Sequence, residues 1–144
     1  MTGQLSKFLS DSLPKTREIG HFIAKSLKPG DVVCLHGDLG AGKTHLAKGI
    51  ASYFGIDDDE VQSPTFTIIN EYQGKDIPVY HFDFYRIGDP REALRMGIEE
   101  YFYGEGICMI EWPSKISEYI PDQAINVHMH HRGGHNREIL VYTE

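Results

Sequence analysis

The chain has 144 residues, about the size of one ordinary domain and long enough to bury roughly two thirds of its unfolded surface. With 14 Lys plus Arg against 21 Asp plus Glu, its formal net charge is −7, the wrong sign for a protein that coats nucleic acid unaided. A content of 40% hydrophobic and 24% charged residues excludes disordered, collagenous and membrane-embedded classes. The segment Met1 to Leu13 carries one Lys and no apolar run of signal-peptide length. The expectation is one cytoplasmic domain over residues 1–144, with no membrane association. Cys34 and Cys108 each sit inside an apolar run and read as small buried hydrophobes rather than metal ligands or a disulfide.

In chain order, Ile19, Phe22, Ile23 and Leu27 fall at helical spacing after a Thr16 N-cap, and Pro29-Gly30 stops the pattern. Asp31 to His36 is a β-branched apolar run of the kind found in buried strands. A glycine-rich turn follows, then a helix marked by Leu46, Ala47, Ile50, Ala51 and Phe54 and ended by Gly55. The acidic tetrad Asp57 to Glu60 reads as a solvated loop. Strands are expected over 66–72 and 79–85 with a turn at 73–76, then a helix from Asp89-Pro90 to about Met96, stopped by Gly97. A short amphipathic piece with Ile98, Tyr101 and Phe102 leads to a strand over 107–112. Alternation in Ile125, Val127 and Met129 and again over 138–142, around Arg132-Gly133-Gly134, predicts a C-terminal antiparallel hairpin. Strand, glycine-rich turn and helix in succession, from Asp31 to Gly55, are a phosphate-binding layout, so the fold class expected is α/β: a P-loop NTPase fold with a mixed, mainly parallel sheet flanked by helices.

The strongest chemical signal is Gly37-Asp38-Leu39-Gly40-Ala41-Gly42-Lys43-Thr44, which fits G-x-x-x-x-G-K-[ST] between a strand and a helix. Glycines let successive N–H groups curl inward onto phosphate oxygens, and the helix start adds its positive dipole end. Lys43 would reach the β- and γ-phosphates, and the Thr44 hydroxyl would ligate Mg²⁺. The metal also needs a strand-end acid, for which Glu111 and Asp83 both qualify. One would hold Mg²⁺ while the other orients or deprotonates the attacking water. Ser63 and Thr65, in Ser63-Pro64-Thr65-Phe66-Thr67, suit either a γ-phosphate-sensing switch or a Pro-fixed turn. His81 shares a strand face with Asp83 by alternation, and Arg86 suits a salt bridge to Asp83 or a phosphate contact. His128, His130, His131 and His135 invite a metal reading, but His128 and His130 fall on the polar face of an alternating strand. Exposed aromatics near Tyr101 to Tyr103 are a candidate protein-binding patch.

These elements together resemble the TsaE family (formerly YjeE) of bacterial P-loop ATPases, through Gly37 to Thr44, Ser63-Pro-Thr-Phe66, Tyr80-His-Phe-Asp-Phe-Tyr-Arg86, Asp89-Pro90, Met96-Gly97-Ile98 and Ile110-Glu111-Trp112. The resemblance implies a weak, partner-dependent ATPase using ATP and Mg²⁺. It would act with the TsaD and TsaB proteins in threonylcarbamoyladenosine modification of adenosine 37 in tRNAs reading ANN codons, and would meet tRNA mainly through that complex. It further implies that Lys43 and Thr44 bind phosphate and metal, Glu111 helps hold the metal, Asp83 supports hydrolysis and Thr65 belongs to a switch. Trp112 would serve activity or partner coupling, and residues from Ser10 to Thr16 would border an adenine pocket. His45 departs from the small residue common after the motif. The competing readings are a small P-loop kinase, disfavoured by only six scattered arginines, and a nucleotide-gated protein-binding module.

Overall fold

The computed structural model describes residues 5–38, 40–62 and 68–143. Its strands, in chain order, are β1 (Leu5–Ser10), β2 (Val32–His36), β3 (Ile69–Gln73), β4 (Pro78–Asp83), β5 (Ile107–Glu111), β6 (Ile125–His131) and β7 (Arg137–Thr143). They form one sheet in the order β1-β7-β6-β2-β5-β4-β3. The central strands β6, β2, β5 and β4 run parallel. The hairpin of β6 and β7 is present as expected, β1 adds a further antiparallel strand beyond it, and β3 pairs antiparallel with β4 at the other flank.

Strand periodicity divides the core between the two faces of this sheet. Val33 and Leu35 of β2, Ile107 and Met109 of β5, Val79 of β4, Val127 and Met129 of β6 and Ile139 of β7 bury against helices α1 (Leu13–Ala24) and α2 (Lys43–Tyr53). The alternate residues Val32, Cys34, Phe82, Cys108 and Ile110 pack with Ala93 of α3 (Pro90–Arg95), Ile98 and Phe102 of α4 (Ile98–Phe102), and Ile116 of a 3₁₀ segment over Pro113–Tyr119. Both cysteines are free and buried, and burial pushes each thiol up to about 12.

Several boundaries differ from the sequence reading. The first helix begins earlier, with Ser12 as N-cap: its hydroxyl accepts from the Lys15 amide at 3.1 Å, and Pro14 fits the first turn, where no N–H is needed. Thr16 lies inside that helix, fully buried, with its hydroxyl 2.7 Å from that of Ser10. The expected strand over 79–85 ends at Asp83, where the Asp83 side chain accepts the Tyr85 amide at 2.9 Å and turns the chain. The 3₁₀ segment carries no periodic signal long enough to read. The Asp89 cap, with Pro90 behind it, and the Gly97 stop are where they were expected. The tetrad from Asp57 is largely exposed, with Asp58 bonded to Arg17 at 2.7 Å. Among the described residues no helix is long and apolar enough to cross a membrane.

Helices α1 and α2 cross so closely that a Cβ on Gly49 would collide with the Arg17 carbonyl. Gly49→Ala is expected to cost about 2–3 kcal/mol through forced separation of the two helices. A urea midpoint equal to that of the parent chain would show that the helices do not approach this closely.

Candidate functional site

The glycine-rich turn joins β2 to α2, so Lys43 is the first residue of a helix that starts at the C-terminal end of the parallel strands. Strand parity then decides which acids can reach it. Glu111 shares the inward parity of Ile107 and Met109, and Asp83 that of Val79 and His81, so both carboxylates lie on the α2 side of the sheet. They are register neighbours at the ends of β5 and β4.

Lys43 is only 5% exposed. Its ammonium donates to the Gly37 carbonyl at 2.7 Å and lies 3.8 Å from the centroid of the Trp112 ring. Burial pulls the Lys43 amine below its ordinary value, while Glu111, Asp83 and Asp38 pull it back up. Glu111, also buried, accepts a 2.6 Å hydrogen bond from Nε2 of the fully buried His81. Burial lifts the Asp83 carboxyl above its usual range and Glu111 adds to this, whereas the Tyr85 amide, His81 and Lys43 oppose it.

Trp112 has φ 59°, the one non-glycine residue with positive φ among those described. Holding a bulky residue there costs about 1–3 kcal/mol. The turn brings the indole over Lys43 and 4.8 Å from the Tyr85 ring. Gly42 likewise stands at φ +99°, and a Cβ there would meet Arg137 Nε at 3.0 Å.

Arg137 is a site residue that sequence reasoning did not find. Buried at the start of β7, it donates from Nε to the Ala41 carbonyl at 2.8 Å and from Nη1 to the His135 carbonyl at 2.9 Å, clamping the turn from behind. Its inward parity with Ile139 and Val141 was the available signal. His45, next to Thr44, has its imidazole held below its ordinary value by burial and then by Arg17, Lys48 and Arg137.

The structure brings together Gly37, Asp38, Gly40, Ala41, Gly42, Lys43, Glu111, Asp83 and Trp112, with Thr44 on the first turn of α2. Leu39, Ser63 and Thr65 lie outside the described residues. Arg86 is exposed just beyond β4. The hydroxyls of Ser10 and Thr16 bond to each other and to the Ser12 carbonyl. Of the histidines, His128 stacks on His36 at 4.2 Å on the sheet face opposite α2, and both line a cavity of about 570 Å³ that also touches Gly37, Asp38, Gly40 and Ala41. Tyr103 is exposed, whereas Phe102 is buried in the core.

A buried lysine at a helix start beside two strand-end acids is a general arrangement; its combination with a family model decides the class. The model of the threonylcarbamoyl adenosine biosynthesis protein TsaE matches residues 10–139. The chain belongs to the TsaE family. It is 46% identical over 125 residues to the tRNA threonylcarbamoyladenosine biosynthesis protein TsaE of Bacillus subtilis, covering 87% of this chain and 77% of that one. It is also 36% identical to the protein of the same name from Treponema pallidum, over 92% and 97% of the two chains. A crystal structure of Bacillus subtilis YdiB superposes with a TM-score of 0.81 at 35% identity, covering 99% of this chain and 88% of that one.

Within this TsaE-family site the direction of the Asp83 shift makes a stability prediction. Its folded-state value lies above the ordinary 3.8, so protonated Asp83 favours folding and that advantage is lost as pH rises through the folded value. At neutral pH the ionised side chain therefore costs stability, and Asp83→Asn, which keeps an acceptor for the Tyr85 amide, should unfold at higher urea than the parent. The gap should narrow as pH falls toward 3.8. A variant less stable at pH 7 would contradict this.

Proposed function

We propose that residues 1–144 are a single P-loop ATPase domain that works with the TsaD and TsaB proteins in threonylcarbamoyladenosine modification of adenosine 37 in tRNAs reading ANN codons. The observation that carries the reading is the enclosure of Lys43, at the head of α2, with Glu111 and Asp83 from the ends of neighbouring parallel strands. The pathway comes from the family and from the printed names of its relatives.

The donor set suits Mg²⁺. The Thr44 hydroxyl and two carboxylates are hard oxygen donors, and burial has already stripped much water from Asp83 and Lys43. Too few to enclose a cation, these donors suit an ion that keeps waters and shares phosphate oxygens. The ion would neutralise charge on the phosphates. Turn amides from Gly37 to Thr44 would cradle the phosphate chain, and Lys43 would leave the Gly37 carbonyl and the Trp112 face for the β- and γ-oxygens. Glu111 and Thr44 would hold the ion. Asp83, whose raised value brings it closer to neutral pH, would accept a proton from the attacking water.

Arg137, the buried arginine of the described residues, is tied to the Ala41 carbonyl behind the turn. It therefore does not stand opposite the γ-phosphate as an arginine finger would, which leaves Arg86, exposed beyond β4, as the candidate on this chain and fits slow hydrolysis until a partner completes the site. A chain of net charge −7 leaves RNA contact mainly to those partners.

The test is release of phosphate from γ-labelled ATP together with reconstituted threonylcarbamoyladenosine formation. Hydrolysis should rise with TsaD–TsaB, fall about 10²–10⁴-fold in Asp83→Asn, and be lost with tRNA modification in Lys43→Ala. Label on a metabolite or nucleoside would sink the ATPase. Equal modification with the chain, without it and with Lys43→Ala would sink the pathway role.

A further inference from the structure

His81 is fully enclosed on the inward face of β4, between Val79 and Asp83, and beside Met109 of β5 and Asn70 of β3 in register. Nothing in that packing calls for a polar ring, and Nδ1 is buried without a hydrogen-bond partner among the described residues. A polar group kept in a core with half of its bonding capacity unmet is a net liability unless its remaining bond does something an apolar side chain would not. That bond is the 2.6 Å contact from Nε2 to Oε2 of Glu111. The imidazole is fully buried, so the bond restrains the Glu111 carboxylate and biases the direction in which its second oxygen points.

We propose that His81 is the positioning residue that holds Glu111 in the orientation needed to take the divalent cation of a nucleotide complex. The proposal rests on the magnesium–nucleotide reading above. His81 touches neither cation nor nucleotide; it acts by restraining the carboxylate through the bond to Oε2. Carboxylates and imidazoles that ligate metals are generally oriented by such outer partners, whose loss lowers metal affinity about 10–100-fold. The same logic explains the spacing of His81 and Asp83. Two residues apart on one strand, they face the same side, so one secures the neighbouring strand's acid while the other stands beside it.

The experiment measures metal binding, using Mn²⁺ as an electron-paramagnetic probe in the presence of a non-hydrolysable ATP analogue, and separately measures analogue binding in EDTA by calorimetry. His81→Phe keeps the ring volume and removes the donor; His81→Asn keeps an amide too short to reach Glu111. Both should weaken Mn²⁺ binding about 10–100-fold while metal-free analogue affinity stays within about twofold. His81→Gln, whose amide reaches the place of Nε2, should restore most of the metal affinity. In a Glu111→Gln background the His81 substitutions should have no further effect on Mn²⁺. Parent-like Mn²⁺ affinity in either His81→Phe or His81→Asn would overturn the proposal. So would equal losses of metal and metal-free analogue binding, the mark of a purely structural role. If the parent chain binds the analogue in EDTA but gains nothing from Mn²⁺, the magnesium reading fails as well, and the two failures are thus told apart.

Discussion

A buried ammonium sets the terms for the rest of this molecule. Lys43 sits at the positive end of α2, where turn amides already concentrate partial positive charge, and it is almost wholly shielded from water. Taking a charge out of water costs several kcal/mol even after relaxation, on the order of what a small domain has in total stability, so the surroundings must answer it. They do so with the Gly37 carbonyl, the face of Trp112, and the field of Glu111, Asp83 and Asp38. For those acids to be in place, β4 and β5 must be adjacent, parallel and in the register that sets Asp83 beside Glu111. The parallel pairing of β4 with β5 is thus what sets both acids in the field of this one side chain.

The compensation is incomplete. Burial depresses Lys43 and raises Asp83, so each charge is held against its own preference. Trp112 is held in a left-handed conformation that only a well-determined surrounding structure sustains. The rigidity that tolerates these strains comes from elsewhere. Arg137 reaches from the C-terminal hairpin to the Ala41 carbonyl, and Gly42 leaves it the room, so the glycine-rich turn is gripped on the side away from the acids. The hairpin and β1, which extend the sheet beyond its parallel centre, thereby take part in the site.

Much of this was legible in the residue pattern because its causes are local. A β-branched run before a glycine-rich turn, Pro90 after a capping Asp89, and apolar runs ending in Asp83 or Glu111 each state a backbone preference within a few positions. What escaped depended on long-range or unpatterned causes. β1 has exposed Leu5 and Leu9 on one side and exists because β7 offers it an edge. The first helix starts at Ser12 rather than Thr16 because tertiary packing buries the Thr16 hydroxyl against Ser10. Arg137 and its carbonyl partner lie 96 residues apart. The bond of His81 to Glu111 was approached through alternation, but its partner lies on another strand, 30 residues on.

On the proposed ATPase reading, Lys43, which lies 3.8 Å from the centre of the Trp112 ring, leaves that ring for phosphate. Trp112 is the chain's single tryptophan, so its emission reports the surroundings of that ring, with Lys43 on its face and Tyr85 beside it. Titration with a magnesium complex of a non-hydrolysable ATP analogue should change the emission saturably, at the same midpoint that calorimetry gives for binding, and the change should vanish in Lys43→Met even at analogue concentrations that calorimetry shows to be bound. Binding of the analogue to the parent chain with no change in tryptophan emission would contradict the account.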